Sequence, residues 1–187
     1  MKVSSILTIL SLLFFLSCGD SNSDINPDNL LIGEWEAQSF EGTIDSTVEF
    51  EGQSITSTIT IEGKDLDYGL TFDERTYTTS GDYGIEGNVM SGSENIAIDQ
   101  TVSDISGNGT YTYVGDVLTS NGALFNFEVN GMSILQDQEE VSARVESLTE
   151  EELVLVQTGI ESSSQTFNGV TTSSTNNIDF RSVWKRK

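Results

Sequence analysis

The chain of 187 residues has no histidine, one cysteine and one proline. Without histidine, and with Cys18 as the lone thiol, a Ser-His-Asp triad, a Cys-His pair and an ordinary zinc site are excluded. A single cysteine also excludes an intramolecular disulfide. An enzyme built from this chain would have to work through carboxylates or tyrosines.

Cationic residues are scarce. Lys and Arg together number 8 against 30 Asp and Glu, which gives a formal net charge of −22. Nucleic-acid binding needs a basic stripe and is excluded. The charge suits a repulsive, soluble surface. Calcium attraction is a minor alternative, and no loop has the Asp-x-Asp-x-Asp-Gly spacing with a late Glu of a strong site. We therefore predict no metal and no cofactor.

A long hydrophobic run is also missing. The one apolar stretch, Ile6 to Leu16, is shorter than the roughly 20 residues that a membrane-spanning helix needs. A charged start at Met1-Lys2, a short apolar stretch and small residues before Cys18 are the layout of a secretory signal. Residues 1–17 are therefore predicted to be a signal peptide.

The segment Phe15-Leu16-Ser17-Cys18 resembles the lipobox of bacterial lipoproteins, which prefer Leu where this chain has Phe15. The resemblance implies cleavage before Cys18 and acyl chains such as palmitate on its thiol. Two or more acyl chains hold a protein stably on a membrane. In the lipoproteins that this segment resembles, an Asp directly after the cysteine is an inner-membrane retention signal. Because this chain has Gly19 there, the resemblance implies the outer membrane, on either its periplasmic or its surface side. Residues 18–29 are acidic and Ser/Asn-rich, which indicates a flexible tether.

After the tether, residues 30–187 form one predicted domain, and their dominant pattern is period-two alternation. No segment shows sustained helical periodicity. We predict an all-β fold of about 8–10 antiparallel strands. The predicted strands cover residues 44–50, 55–61, 66–72, 76–83, 95–102, 109–114, 123–129, 140–148, 152–157 and 177–185, with a Ser/Thr/Asn/Gly-rich loop at 162–175.

Gly33-Glu34-Trp35 opens the first strand and resembles the first lipocalin motif. In that family an arginine of the last strand packs across the tryptophan, a role open here to Arg181 or Arg186. The segments 70–83 and 145–155 resemble lipocalin-like lipoproteins of Bacteroidetes. The resemblance implies an up-and-down lipocalin-like β-barrel. The usual lipocalin disulfide is impossible, and residues 89–122 are longer than a simple eight-strand meander needs.

The resemblance implies an interior that takes a small apolar or amphipathic molecule, although plain core packing is the commoner role of such inward residues. The alternatives are a non-catalytic interaction lipoprotein and, remotely, a carboxylate-based glycoside hydrolase. The acidic runs at 139–140 and 150–152 fall at predicted turns, so we expect no enzyme. The residues predicted to face the interior are Ile59, Leu70, Phe72, Tyr77, Tyr111, Tyr113, Phe125 and Phe127.

Overall fold

The computed structural model describes residues 30–125, 128–129, 132–133, 140–167 and 170–187. The predicted signal peptide, Cys18, the tether and Phe127 lie outside these residues. The described part contains ten β-strands. They are β1 (Gly33–Phe50), β2 (Gln53–Phe72), β3 (Thr76–Ser91), β4 (Glu94–Val114), β5 (Val117–Ser120), β6 (Glu128–Val129), β7 (Met132–Ser133), β8 (Val141–Leu148), β9 (Glu152–Phe167) and β10 (Val170–Arg186).

Eight of these strands close into one antiparallel barrel in the order β1-β10-β9-β8-β5-β4-β3-β2. Each barrel strand neighbours the next barrel strand along the chain, and β1 pairs with β10 to complete the ring. β6 and β7, which lie between β5 and β8 in sequence, form a separate two-stranded sheet. The prediction of an all-β, antiparallel up-and-down barrel of 8–10 strands is confirmed.

The barrel strands differ greatly in length. β5 and β8 have 4 and 8 residues, whereas the other six have 16 to 21. The end near Trp35 and Trp184, which all eight strands surround, is called the barrel base. Among the described strands, six continue beyond the base as an open sheet, in the order β9, β10, β1, β2, β3 and β4. This flared half comprises residues 43–60, 88–98, 158–167 and 170–178.

Irregular residues bend the strands near the junction of the two halves. Asp65 in β2 and Asp104 in β4 have φ of 49° and 57°, and the strand register shifts beside both. The Asp82 carboxylate accepts a hydrogen bond of 2.7 Å from the backbone N–H of Asp104, which supports the irregular backbone of β4. Because such bulges bend strands and increase their twist, they allow closure on one side and flaring on the other.

Several predicted strands are parts of longer ones. Residues 55–61 and 66–72 both belong to β2, and residues 95–102 and 109–114 both belong to β4. The alternation lapses at the bends, where register is locally lost. Glu51 and Gly52 form the turn between β1 and β2, and their φ of 48° and 78° are those that a type I′ hairpin requires.

Two predictions were wrong. Residues 162–175 are not a loop, because the described ones among them form the paired arms of β9 and β10. Hydroxyl pairs join these arms, among them Ser163–Ser174 at 2.8 Å and Thr166–Thr171 at 2.9 Å. Both faces of this hairpin are polar, so a pattern based on burial missed it. Residues 123–125 are not a strand but part of the connection from β5 to β8.

Candidate functional site

The barrel base is closed by Gly33, Trp35 and Arg186. The Arg186 guanidinium lies 4.2 Å from the centre of the Trp35 ring. A Cβ at Gly33 would overlap Nη1 of Arg186 and lie 3.5 Å from its Cζ, and Gly33 also has a φ of 139°. Glycine is therefore needed at this position, so that the guanidinium can cover the tryptophan.

Arg186 also joins the residues that precede β1 to the β8–β9 turn. Its Nε donates to the Glu150 carbonyl at 2.8 Å, and its other nitrogens donate to the carbonyls of Ile32 and Leu30. Arg181, the second candidate for this contact, is exposed and pairs with Glu146 at 3.1 Å. Arg186 therefore makes the cation–π contact, and Arg181 does not.

The interior of the barrel base is filled by a side chain from the β5–β8 connection. The Phe125 ring lies 5.0 to 5.8 Å from five other aromatic rings, which close around it. These are the rings of Phe40, Tyr68, Tyr83, Phe180 and Trp184. Centroid separations in this range are those of well-packed aromatic pairs.

The same connection is fixed by a buried hydrogen bond. The Tyr68 hydroxyl donates to the Leu124 carbonyl at 2.6 Å. Burial raises the pKa of Tyr68 to about 12, because the phenolate form is costly away from water. The connection therefore contributes both an aromatic plug and a polar anchor to the barrel.

The space left inside is small. The cavity beside Leu124 and Phe125, which reaches Leu118 and Phe180, has a volume of about 30 Å³. Pockets that hold drug-sized molecules measure about 300–1,000 Å³. This cavity has room for about one water molecule.

The structure places the predicted interior residues in or against the core. Leu70, Phe72, Tyr77, Tyr111 and Phe125 are buried, and Ile59 and Tyr113 are half-buried and pack on the core. Phe72 contacts Tyr77 and Tyr111 rather than facing an open space, with centroids 6.4 and 4.9 Å apart. Tyr111 and Tyr113 also line an open pocket of about 300 Å³ beside Glu74 and Arg75, whereas the cavity beside Phe125 measures about 30 Å³. Phe127 lies outside the described residues.

The inner face of the flared half carries a second set of apolar side chains, which are not predicted from the sequence to form one surface. Ile178, Ile44, Ile59, Val89 and Ile96 are aligned on adjacent strands from β10 to β4. Ile44 and Ile178 are buried, whereas Ile96 is 58% exposed. Towards the strand tips, Ile55 and Phe50 are 61% and 45% exposed on the same face. An accessible apolar surface therefore begins where the closed core ends.

The flared half has charge of one sign. Residues 43–60, 88–98 and 158–178 contain no Lys or Arg. Its acidic residues are Asp45, Glu49, Glu51, Glu94 and Glu161. Burial raises the pKa of Glu161, which lies on the inner face of β9. All charged residues that accompany the exposed apolar side chains in the flared half are therefore acidic.

An open groove of about 550 Å³ crosses the outer face of β10, β1, β2 and β3. Its polar lining includes Glu41, Glu62, Asp179 and Arg181, and Arg181 is already held by Glu146. Within the described chain, no three Asp, Glu, Cys or His side chains are grouped to hold a metal ion. The residues that line the groove include no aromatic side chain on which a ligand could stack.

No helix among residues 30–125 and the later described segments is long and apolar enough to span a bilayer. No protein-family model matches the chain. No curated protein matches it significantly. Among solved structures, the attachment invasion locus protein Ail of Yersinia pestis aligns with 80% of this chain and 99% of its own, at 9% identity and a TM-score of 0.14. A TM-score this low shows neither a shared fold nor a shared function.

Proposed function

We propose that this chain is a lipid-anchored protein of the bacterial envelope that works by binding a protein partner through its flared half, without catalysis and without a small molecule in the barrel. The observation that carries the proposal is the filled interior, in which Phe125 occupies the place that a ligand would take in a hollow barrel.

The flared half supports the binding role. Apolar side chains exposed together in an otherwise polar surface mark interaction sites. Phe50, Ile55 and Ile96 expose about half of their surface or more on the inner face, and the flared half contains no Lys or Arg. A partner that fits this surface is apolar at its centre and carries Lys or Arg at its margin.

The anchor is the second component of the proposal. The lipobox-like segment before Cys18 supports lipid attachment, and the Gly33–Trp35–Arg186 cluster agrees with the lipocalin-like resemblance. Residue 30, where the proposed tether ends, lies at the barrel base, while the β1–β2 turn at Glu51-Gly52 is at the far end of β1. The flared half is therefore the part of the domain furthest along the strands from the anchor.

Site-specific photocrosslinking in cells tests the partner surface. A photoreactive amino acid replaces Ile55 or Ile96 on the inner face, and Met90 on the outer face of β3 serves as the control. Met90 is also exposed, and it pairs with Thr58 rather than with an inner-face residue. We expect a discrete crosslinked protein from positions 55 and 96, and none from position 90.

Equal crosslinking from position 90 would show that contact is not confined to the inner face. Absence of crosslinks at positions 55 and 96, together with a small molecule retained by the purified protein, would support the carrier role instead. Replacement of Cys18 by Ala tests the anchor separately. In detergent phase partitioning of whole cells, the wild type should enter the detergent phase and the variant the aqueous phase.

A further inference from the structure

The flared half has two open edges, and they differ. On β4, residues 94–110 pair with β3, and among the described strands β5 covers only residues 111–114. On β9, residues 157–167 pair with β10, and among the residues that the structure describes β8 covers only residues 153–156 of the other edge. Unpaired edges expose rows of backbone N–H and C=O groups that can accept another strand.

The β4 edge is protected against such pairing. The left-handed backbone at Asp104 interrupts the strand, with a φ of 57° and a register shift opposite Gly81 and Tyr83. Glu94 and Asp99 add negative charge on either side of Ile96. Bulges and charged side chains are the usual means by which proteins prevent edge-to-edge association.

The β9 edge has none of these features. Its register with β10 runs without a shift from Phe167 back to Glu152. Residues 157–177 contain one charged residue, Glu161, and no proline or lysine, in a chain with 38 charged residues. Ile160 on the outer face is 73% exposed. This long, regular and nearly uncharged edge is open to strand addition.

The direction of the free backbone groups follows from the hairpin. Phe167 pairs with Val170 across a two-residue connection, so these two residues form a hydrogen-bonded pair. Because hydrogen-bonded pairs alternate along an antiparallel ladder, every second residue before Phe167 directs its N–H and C=O to the open edge. These residues are Thr158, Ile160, Ser162, Ser164 and Thr166.

We propose that two copies of this chain pair along β9, antiparallel and about a twofold axis at Ser162. The edge is complementary to itself in this register: Thr158 faces Thr166, Ile160 faces Ser164, and Glu161 faces Ser163. No like charges are opposed, and 11 residues a side allow about ten backbone hydrogen bonds. A contact of this kind is isologous, as in most homodimers.

Charge favours a second copy at this place. The net charge of −22 makes most approaches of two copies repulsive. The β9–β10 hairpin is where that repulsion is weakest, because residues 157–177 carry one charge. The two six-stranded sheets then become one sheet of twelve strands, with β9 as a central strand.

Sedimentation of the purified protein over a range of concentrations tests the proposal. We expect the wild type to convert from monomer to dimer by tens of micromolar. Ser162→Pro removes a backbone donor from the open edge while leaving the β9–β10 hydrogen bonds in place. Ile160→Glu adds a charge at an exposed position of the same edge. Each variant should weaken dimerisation at least tenfold.

Ala97→Glu is the matched control, since Ala97 is exposed on the outer face of β4, at the other edge. Circular dichroism establishes whether each variant is folded. If Ser162→Pro is unfolded, Ile160→Glu alone tests the contribution of the β9 edge. A wild type that stays monomeric at 100 µM (about the upper limit of the range) overturns the proposal. So does equal weakening by Ala97→Glu and Ile160→Glu, which would indicate general charge repulsion. Failure here leaves the inner-face proposal standing, because that proposal concerns Ile55 and Ile96.

Discussion

At the scale of single residues, the barrel base depends on a glycine. Gly33→Ala places a Cβ against the Arg186 guanidinium and forces an L-residue to a φ of 139°. We expect a loss of about 1–3 kcal/mol in the free energy of unfolding, measured by urea denaturation. Gly159→Ala is the control, because a Cβ there meets no atom within 4 Å. Similar losses for both variants would contradict the role given to Gly33.

A second residue-scale prediction concerns alkaline pH. The pKa of Tyr68 is raised from 10.0 to about 12 by burial, so the folded state holds this proton more tightly than the unfolded state. The stability from this neutral tyrosine is complete below pH 10 and is lost as the pH rises towards 12. A shift of this size corresponds to about 2–3 kcal/mol.

Urea denaturation of the wild type and Tyr68→Phe at several pH values measures this effect. At neutral pH the wild type should be the more stable, because Tyr68 donates to the Leu124 carbonyl. Its advantage should shrink and then reverse between pH 10 and pH 12. A difference that does not change with pH would mean that Tyr68 ionises as freely in the folded protein as in the unfolded chain.

At the scale of elements, the β5–β8 connection holds the centre of the core. Phe125→Ala removes a ring that contacts Phe40, Tyr68 and Trp184, and leaves a cavity among them. We expect a loss of about 3–5 kcal/mol in the free energy of unfolding by urea denaturation. Ile160→Ala, at an exposed position of β9, should change it by less than about 0.5 kcal/mol. A Phe125→Ala variant as stable as Ile160→Ala would show that the ring is not packed in the core.

The elements that sequence predicts well are those with one buried face. The alternation of Leu70 and Phe72 predicts the end of β2, because their burial forces a period of two. Residues 162–175 escape prediction because the β9–β10 arms are polar on both faces and are held by hydroxyl pairs. Phe125 is correctly predicted to be buried, but its alternation also predicts a strand, whereas the residue reaches the core from an irregular connection.

The candidate site can be predicted from sequence only in part. Gly33, Trp35 and an arginine of β10 are foreseeable from sequence, but the choice of Arg186 over Arg181 depends on strand register. The exposed apolar surface of Ile55 and Ile96 depends on six strands continuing where β5 and β8 stop. No local pattern contains that information, since it follows from differences in length between strands that are distant in sequence.

At the scale of the whole molecule, the chain combines a closed, filled base with an open, flared sheet. The aromatic cluster around Phe125 stabilises the base, and the flared half extends six strands beyond it. The two proposals concern different parts of this sheet, since partner binding uses its inner face and dimerisation uses its β9 edge. Both proposed contacts lie on the flared sheet and neither uses the closed base.

The mass of the purified protein under native conditions tests the filled barrel most directly. We expect the mass of the polypeptide with its covalent modifications, as a monomer or a dimer, and no further mass. A stoichiometric additional mass of a few hundred daltons (roughly that of a drug-sized ligand) that disappears on denaturation would contradict it. Such a result would mean that Phe125 and its neighbours move aside for a ligand.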